Sequence, residues 1–245
     1  MKIFIYQTYA EMSEKAAECL ADHLKTKPDS TLGFATGSTP VGMYGALVQL
    51  YNQNKIDFSR VRATFNLDEY YPIKKSDEQS YDRFMDENLF DHINIDKTII
   101  NIPDGEAADA EAECLLYEKK IAGAGGIDFQ VLGIGNNGHI GFNEPDDHFK
   151  PITHLMSLTK ETIDANARFF ASPELVPKNA LTMGIGTIMS AKKILLLCAS
   201  EKKAGIIRDT VYGNVTPKIP ASILRFHPDV TVMTDSEAGK YLKSV

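Results

Sequence analysis

The stretch Ile127-Asp-Phe-Gln-Val-Leu132 runs directly into Gly133-Ile-Gly-Asn-Asn-Gly-His-Ile-Gly-Phe-Asn-Glu-Pro145. The first part is short and largely apolar, as expected of a buried strand. The second part is a loop that carries four glycines, three asparagines, a histidine and a glutamate. Open α/β sheets place ligands and catalytic groups in such loops, at the carboxyl ends of their strands. The stretch therefore predicts an α/β fold with a functional site at the carboxyl end of this strand.

Strand and helix patterns alternate along the rest of the chain, as they do in α/β proteins. Besides the strand at 127–132, strands are predicted at 1–6, from Thr31 onward, and at 61–67, 155–158, 193–199 and 230–233. Helices are predicted at 9–25, 41–51, 80–89, 107–122 and 160–170, the fourth with Ala110, Cys114, Leu115 and Ile121 on one side. No linker interrupts the pattern, so a single domain spanning residues 1–245 is expected.

The composition narrows the class of protein. Hydrophobic residues make up 43% of the chain and charged residues 24%, as in an ordinary folded protein. The formal net charge of -7 argues against binding to nucleic acid or to an anionic membrane, because both need a basic face. With no run of about 18 apolar residues and no signal-peptide pattern, a cytoplasmic protein is expected. The three cysteines are interpreted as reduced packing residues.

A second polar loop follows the strand that begins at Thr31. It contains Thr36-Gly37-Ser38-Thr39-Pro40, in which Thr39 is predicted to cap a helix whose first residue is Pro40. Backbone N–H groups, the helix dipole and three hydroxyls would then converge on a volume that suits a phosphate. The Gly-Lys-Ser/Thr ending of nucleoside-triphosphate loops is missing. The alternative is a capped turn without a ligand.

Charged residues follow two further predicted strands. The strand at 61–67 delivers Asn66-Leu-Asp-Glu-Tyr-Tyr-Pro72 to the same end of the sheet, which makes Asp68 a candidate proton acceptor. The alternative is that Asp68 and Glu69 are ordinary solvated acids. After the strand at 193–199, Lys202 and Lys203 fall in the first turn of a predicted helix, where cations oppose the helix dipole. That placement favours a bound anion, with one of the two lysines pointing inward.

His139 is the candidate for acid–base chemistry in the loop at 133–145. Alone it would be interpreted as a structural histidine, but Glu144 lies in the same loop and could orient and stabilise its imidazolium. A metal site built from His139, Glu144 and His148 matches no standard ligand spacing, and no metal is expected. The glycines of the loop also match G-x-G-x-x-G. No helix opens after them and no acid lies about 20 positions on, so a dinucleotide site is rejected.

Five segments together resemble the glucosamine-6-phosphate deaminase family, and the likeness runs nearly end to end. The most specific is Gly138-His-Ile-Gly-Phe-Asn-Glu-Pro145, and the others are 36–40, 66–70, 166–170 and 180–186. The resemblance implies a three-layer α/β/α fold with a Rossmann-like, mostly parallel sheet. It also implies conversion of a small sugar phosphate, glucosamine 6-phosphate, and water to fructose 6-phosphate and ammonium, without a redox or organic cofactor.

The resemblance and the chemistry of that reaction together imply roles for the matching residues. Opening of the sugar ring needs a base with a pKa near neutrality, which suits His139. Glu144 would hold the imidazole in the required tautomer, and Asn137 would hydrogen-bond the substrate or that pair. Asp68 would accept the C2 proton. The phosphate would be bound by the following residues: Thr36, Gly37, Ser38, Thr39, Arg168 and Lys203.

Two features leave alternatives open. Long members of the family have aspartate where Asn137 stands, so Glu144 is left as the expected carboxylate partner of His139. The rival functions are a 6-phosphogluconolactonase-like hydrolase, a galactosamine-6-phosphate deaminase and a non-catalytic sugar-phosphate sensor. The Asn-Glu-Pro ending of the loop favours a deaminase over a lactonase. A sensor would not need Asp68, His139 and Glu144 together.

The stretch after the loop bears on regulation. Long family members are hexamers activated by N-acetylglucosamine 6-phosphate through basic residues that lie a few positions beyond the Asn-Glu-Pro segment. Here Asp146 and Asp147 occupy that stretch, and Lys150 is its only lysine or arginine before Met156. One flexible cation does not replace a bidentate cluster. The sequence therefore predicts a monomer or small homo-oligomer without this activation.

Overall fold

Seven parallel strands form the central sheet in a computed structural model that describes residues 1–167, 170 and 172–243. The strands of the chain are β1 (Lys2–Tyr6), β2 (Thr31–Phe34), β3 (Ala63–Asn66), β4 (Asp68–Tyr71), β5 (Ile100–Asn101), β6 (Phe129–Gly133), β7 (His154–Ser157), β8 (Asn179–Thr182), β9 (Lys193–Cys198) and β10 (Val230–Asp235). The helices are α1 (Tyr9–Thr26), α2 (Val41–Asn52), α3 (Tyr81–Asn88), α4 (Ala110–Gly123), α5 (Lys160–Asn166), α6 (Ile185–Met189) and α7 (Ala204–Tyr212). The large sheet has the order β1-β10-β9-β6-β2-β3-β5.

The predicted three-layer α/β/α architecture is confirmed by the packing on the two faces of this sheet. Side chains alternate between the faces along each strand. On β9, Leu195 and Leu197 pack on the side of α1 and α2, whereas Ile194 and Leu196 pack on the side of α4 and α7. Since both faces are covered by helices, the central strands are apolar at nearly every position. This explains why β9 appears in the sequence as a continuous hydrophobic run.

A second sheet, which the sequence did not predict, is built from three antiparallel strands in the order β4-β8-β7. The segment after β3 does not remain a strand-end loop, because Asp68–Tyr71 pairs with β8 in a register that places Asp68 opposite Thr182. The partner strand lies more than a hundred residues away in the chain. Such a non-local pairing leaves no mark in a short window of sequence, whereas a strand in the parallel sheet shows as an apolar run.

Helix α4 corrects a second prediction. Cys114, Tyr117 and Ile121 form its buried face, while Leu115 is 52% exposed although the sequence placed it on the packing side. Three- and four-residue steps keep side chains on one face of a helix, and the step from Cys114 to Leu115 rotates the side chain away from the sheet. Asp109 caps this helix by accepting hydrogen bonds from the backbone of Glu111 and Ala112. In the described part of the chain, no helix is long and apolar enough to cross a membrane.

Asp128 ties together the amino-terminal edge of the large sheet. Its carboxylate is 3% exposed, accepts from the backbone N–H of Thr31 at 2.9 Å, and pairs with Lys27 at 2.5 Å and Lys192 at 2.7 Å. Burial raises the pKa of Asp128, but the bonds from the two lysines outweigh burial and lower the pKa to about 2. The ionised carboxylate therefore stabilises the fold at neutral pH, at the edge opposite the carboxyl ends of the strands.

Asp128→Asn is expected to lower the free energy of unfolding at pH 7 by about 1–3 kcal/mol, because a charge-assisted hydrogen-bond network is lost. The folded-state pKa lies below the ordinary value, so the contribution is fully present above about pH 4 and is lost as the pH falls toward about 2. Urea unfolding of both proteins should therefore give curves that converge in acid. Asp29→Asn is the control, since Asp29 and Arg62 form a surface pair and should contribute little. A constant difference between wild type and Asp128→Asn at all pH values would contradict the assignment.

Candidate active site

A cleft of about 820 Å³ opens at the carboxyl edge of the large sheet. Segments that follow β2, β3, β6, β9 and β10 all contribute residues to its walls, and α5 covers one side. Because parallel strands end at the same edge, these five segments meet here although they are distant in sequence. The polar residues that line it include Tyr9, Thr36, Ser38, Thr39, Asp68, Tyr81, Asn137, His139, Lys203 and Asp235.

The loop after β2 forms one end of the cleft. Gly37 has a φ of +92°, a conformation that favours glycine, and its position lets the loop turn from β2 toward α2. The prediction that Thr39 caps α2 is wrong. The helix begins at Val41, its N-cap residue is Pro40, and neither Thr39 nor Pro40 caps it with a side chain. The hydroxyl of Tyr9 on α1 accepts from Gly42 N at 2.8 Å and donates to the Thr39 carbonyl at 3.0 Å instead. The Thr39 hydroxyl is therefore not used as a helix cap, and Thr39 lines the cleft.

Lys203 is the inward-pointing member of the lysine pair. It is half-buried, and its Nζ lies 3.4 Å from Thr39 Oγ1, so it brings positive charge to the loop after β2. Lys202 also borders the cleft but is exposed. The two lysines stand in a short 3₁₀ turn, Glu201–Lys203, that leads into α7. Arg168, the other cation expected at a phosphate, lies outside the described residues.

Asp68 is a buried carboxylate at the floor of the cleft, with 5% of its surface exposed. Burial raises its pKa to about 8, and the like charge of Glu69 acts in the same direction, while the nearby Thr36 hydroxyl and Phe142 N–H partly oppose both. The loop after β6 comes close as well, since a Cβ added to Gly141 would lie 3.4 Å from Asp68 Oδ2. Asp68 can therefore exchange a proton near neutral pH at a carbon held in the cleft.

Glu69 lies on the other side of the same strand and is not a solvated acid, with only 2% of its surface exposed. Its carboxylate accepts from the backbone N–H groups of Tyr81 at 2.8 Å and of Asp82 at 3.2 Å, at the start of α3. Burial raises its pKa to about 7 despite these bonds. Glu69 thus anchors the helix end that carries Tyr81, whose ring stacks on Phe142 beside the cleft.

His139 and Glu144 come together as the sequence suggested. The imidazole borders the cleft with 21% of the side chain exposed, and its Nδ1 lies 3.6 Å from Glu144 Oε2, which is longer than a hydrogen bond and is an ion pair only when the ring is protonated. Asn137 Nδ2 donates to the same carboxylate at 2.7 Å, and its Oδ1 accepts from His139 N at 3.2 Å. The amide at position 137 therefore bridges the pair without adding a second negative charge.

The buried Glu144 carboxylate is ionised. Burial raises its pKa, but the proximity of His139, with hydrogen bonds from Thr162 and Asn137, lowers it to about 2. Its other oxygen faces the Thr159 hydroxyl at 3.2 Å, and Thr159 caps α5. A fixed negative charge behind the ring can hold one tautomer and stabilise an imidazolium.

Two glycines of the loop at 133–145 are required by geometry. A Cβ on Gly135 would overlap the His139 ring, so only glycine lets the imidazole lie flat on this part of the backbone. Gly138 has a φ of +88°, and a Cβ at this position would crowd the side chains of Ile206 and Ile219. These two requirements account for the second and third glycines of the G-x-G-x-x-G match. No group of His, Cys, Asp or Glu that could hold a metal ion occurs among the described residues.

Several residues of the site were not predicted from the sequence. Tyr9 lies at the start of α1 and Tyr81 at the start of α3, and no sequence motif marks either as a site residue. Asp235 ends β10 and is 6% exposed, although the predicted strand stopped at Met233. A polar residue at the end of an apolar parallel strand was the available clue for Asp235. No comparable clue exists for Tyr9, whose partner is thirty residues away.

Comparisons with known proteins agree with this geometry. Residues 6–233 match the family described as glucosamine-6-phosphate isomerases/6-phosphogluconolactonase. The chain is 55% identical over 242 residues to the glucosamine-6-phosphate deaminase of Clostridioides difficile (strain 630), which covers 99% of this chain and 97% of that protein. It is 53% identical over 242 residues to the deaminase of Halothermothrix orenii, covering 99% and 100% of the two chains.

Solved structures give the same picture. The structure of a monomeric glucosamine-6-phosphate deaminase superposes with a TM-score of 0.96 at 47% identity, covering 98% of this chain and 100% of that one. A 6-phosphogluconolactonase from Trypanosoma cruzi superposes with a TM-score of 0.78 at 21% identity, covering 99% and 97% of the two chains. The second likeness is one of fold alone.

Proposed function

The chain belongs to the family of glucosamine-6-phosphate isomerases and 6-phosphogluconolactonases, and we propose that its cleft converts glucosamine 6-phosphate and water to fructose 6-phosphate and ammonium. The observation that carries this function is the meeting of Asp68 with the His139–Glu144 pair in one cleft, at whose end lie Thr39 and Lys203. The reaction needs a base for the proton on C2, a base for the proton of the anomeric hydroxyl, and a cation that binds the phosphate. Deaminases, not lactonases, are the relatives above 50% identity named above.

Ring opening is the first step. His139 takes the proton of the anomeric hydroxyl and returns a proton to the ring oxygen as the C1–O5 bond breaks. Glu144 lies behind the ring and is ionised, so it stabilises the imidazolium that forms. Asn137 holds the carboxylate in place through its 2.7 Å hydrogen bond. The imidazole faces the cleft, where it can reach the substrate, and the carboxylate faces the protein, where it stabilises the ring.

Proton transfer from C2 to C1 is the second step. Asp68 accepts the C2 proton while the ammonium nitrogen gives a proton to the carbonyl oxygen on C1, which leaves a neutral enolamine. Return of the proton from Asp68 to C1 then gives a protonated imine at C2. In the free protein burial raises the pKa of Asp68 to about 8, which disfavours the ionised form that acts as a base. The substrate carries an ammonium group on C2, next to this carboxylate. Its positive charge favours ionisation at the moment when the base is required.

Hydrolysis of the imine is the third step. Water adds to C2, and the carbon–nitrogen bond breaks as the nitrogen is protonated, which leaves the ketone and ammonium. The phosphate is bound meanwhile by the backbone and hydroxyls of Thr36–Thr39 and by Lys203, with Arg168 as a further cation. Lys203 supplies a point charge at this end of the cleft, and Arg168 could form a bidentate contact. Because the overall charge of the chain is -7, binding of an anion depends on such local cations.

The function is tested by incubating the purified protein with glucosamine 6-phosphate and measuring ammonium and fructose 6-phosphate. We expect both in equal amounts, with little hydrolysis of 6-phosphogluconolactone by the same preparation. Asp68→Asn should bind substrate yet lose exchange of the C2 proton with solvent, because an amide cannot accept that proton. Galactosamine 6-phosphate measured in parallel gives the preference at C4. Lactone hydrolysis faster than ammonium release would contradict the proposal.

The pH profile tests the role of Glu69. Burial, and then the charge of Glu69, raise the pKa of Asp68, so removal of that charge should favour the ionised base. Glu69→Gln is therefore expected to move the acidic limb of kcat/KM to lower pH. The ionisation of the substrate is the same for both proteins and cancels in the comparison. Glu87→Gln is the control, because it removes an exposed carboxylate of α3 that pairs with Arg83 and should leave the limb unmoved. An unmoved limb in Glu69→Gln would remove Asp68 as the titrating base.

We also propose that the protein is a monomer, as its relative of known structure is described, and lacks activation by N-acetylglucosamine 6-phosphate. In the stretch after the loop, Lys150 Nζ lies 3.9 Å from Asp146 Oδ2, and Lys218 pairs with Asp147 at 2.6 Å. These contacts leave the local cations balanced by carboxylates that would repel a second phosphate. Rates should depend hyperbolically on substrate with or without the acetylated sugar phosphate, and light scattering should give the mass of one chain. Sigmoidal rates that this compound makes hyperbolic would contradict the proposal.

A further inference from the structure

We propose that Asp235 is a positioning residue, which holds the backbone of Ser200 in the conformation from which Lys203 reaches the phosphate end of the cleft. The inference rests on the proposed function, since it concerns how that end of the cleft is assembled. It adds a residue that neither touches the reacting carbons nor supplies a cation. The argument starts at Ser200, where the chain leaves β9 and turns toward α7.

Ser200 has an unusual backbone conformation. Its φ is +81° and its ψ is 144°, a region that non-glycine residues rarely occupy because the side chain crowds the backbone. A conformation of this kind persists only where the surroundings impose it. Ser200 also borders the cleft, so the unfavourable geometry lies at the functional end of the sheet. Something nearby must offset its cost.

Asp235 supplies the offsetting contacts. It stands at the end of β10, next to β9, and is 6% exposed. Its Oδ2 accepts from Ser200 N at 3.0 Å and its Oδ1 accepts from Ala238 N at 2.7 Å. Two N–H donors on two oxygens require a carboxylate, since the NH₂ group of an amide would face one of the donors. A buried acid in a cleft that binds an anion would otherwise be unfavourable, which argues that these two bonds are its purpose.

The backbone of Ser200 is connected directly to Lys203. The Ser200 carbonyl accepts from Lys203 N at 3.1 Å, closing the turn that begins the 3₁₀ segment. From this turn the Lys203 side chain extends to Thr39, with Nζ 3.4 Å from Oγ1. If Ser200 relaxed to a negative φ, the turn would point in another direction and Nζ would leave the loop after β2. Asp235 therefore acts on the phosphate through Ser200 and Lys203.

The test uses the full chain and steady-state kinetics with glucosamine 6-phosphate. Asp235→Asn should raise KM by roughly tenfold to a hundredfold, the effect of one lost charge-assisted hydrogen bond, while kcat stays within about twofold. Ser200→Gly introduced into this variant should bring KM back to within about threefold of wild type, because glycine adopts a φ of +81° without strain. Ser200→Ala in the same background is the matched control. It also removes the hydroxyl but leaves the strain, and should not restore KM.

A second substitution tests the inference without changing Asp235. Ser200→Val places a β-branched side chain at a positive φ and should raise KM with little effect on kcat, whereas Ser200→Ala alone should raise it less. Thermal melts establish that each variant is folded. Three results would overturn the inference: Ser200→Gly and Ser200→Ala restore KM equally, KM is unchanged in folded Asp235→Asn, or kcat falls in Asp235→Asn by the same factor as KM rises. Failure of the wild type to release ammonium would instead contradict the proposed function.

Discussion

The parallel pairing of β6 between β2 and β9 is the constraint on which the rest of the protein depends. Parallel strands end at the same edge of a sheet, so the loops that follow them are brought together whatever their separation in sequence. The loop with His139, the loop with Thr39 and the turn with Lys203 meet for this reason. The same direction of the strands places Asp128 and its lysines at the opposite edge, where they stabilise the sheet without contacting the cleft.

The second constraint is electrostatic, because the buried carboxylates near the cleft are in different environments. Burial raises the pKa values of Asp68 and Glu69, which have no basic side chain among their hydrogen-bond donors. Glu144 is also buried, yet His139 and its hydrogen-bond donors lower its pKa. Different environments give nearby acids different pKa values. One site can then both abstract a proton and stabilise a charge. Asp235, clamped between two backbone N–H groups, shapes the backbone instead.

Two of the wrong predictions share a cause. The hydroxyl–proline pattern at Thr39 and Pro40 is typical of a capped helix, but the Tyr9 hydroxyl comes from another helix and accepts the hydrogen bond of the Gly42 N–H instead. The segment at Asp68 is polar enough to be a loop, but β8 is available to pair with it. In both places a group from elsewhere in the chain competes with the local preference and wins. Local patterns report what a segment favours alone, and the tertiary structure decides between that preference and its competitors.

The sequence by itself determined the α/β class and the apolar strands, because strand periodicity and burial are local properties of the chain. It also determined the pairing of His139 with Glu144, since both lie in one short loop. Only the tertiary structure decided that Asp68 lies buried in the same cleft, that Lys203 reaches Thr39, and that Asp235 holds Ser200. These contacts join residues 35 to 164 positions apart in the chain, or depend on burial by distant segments. They exist only once the strands have paired in register, because that register sets which strand ends become neighbours.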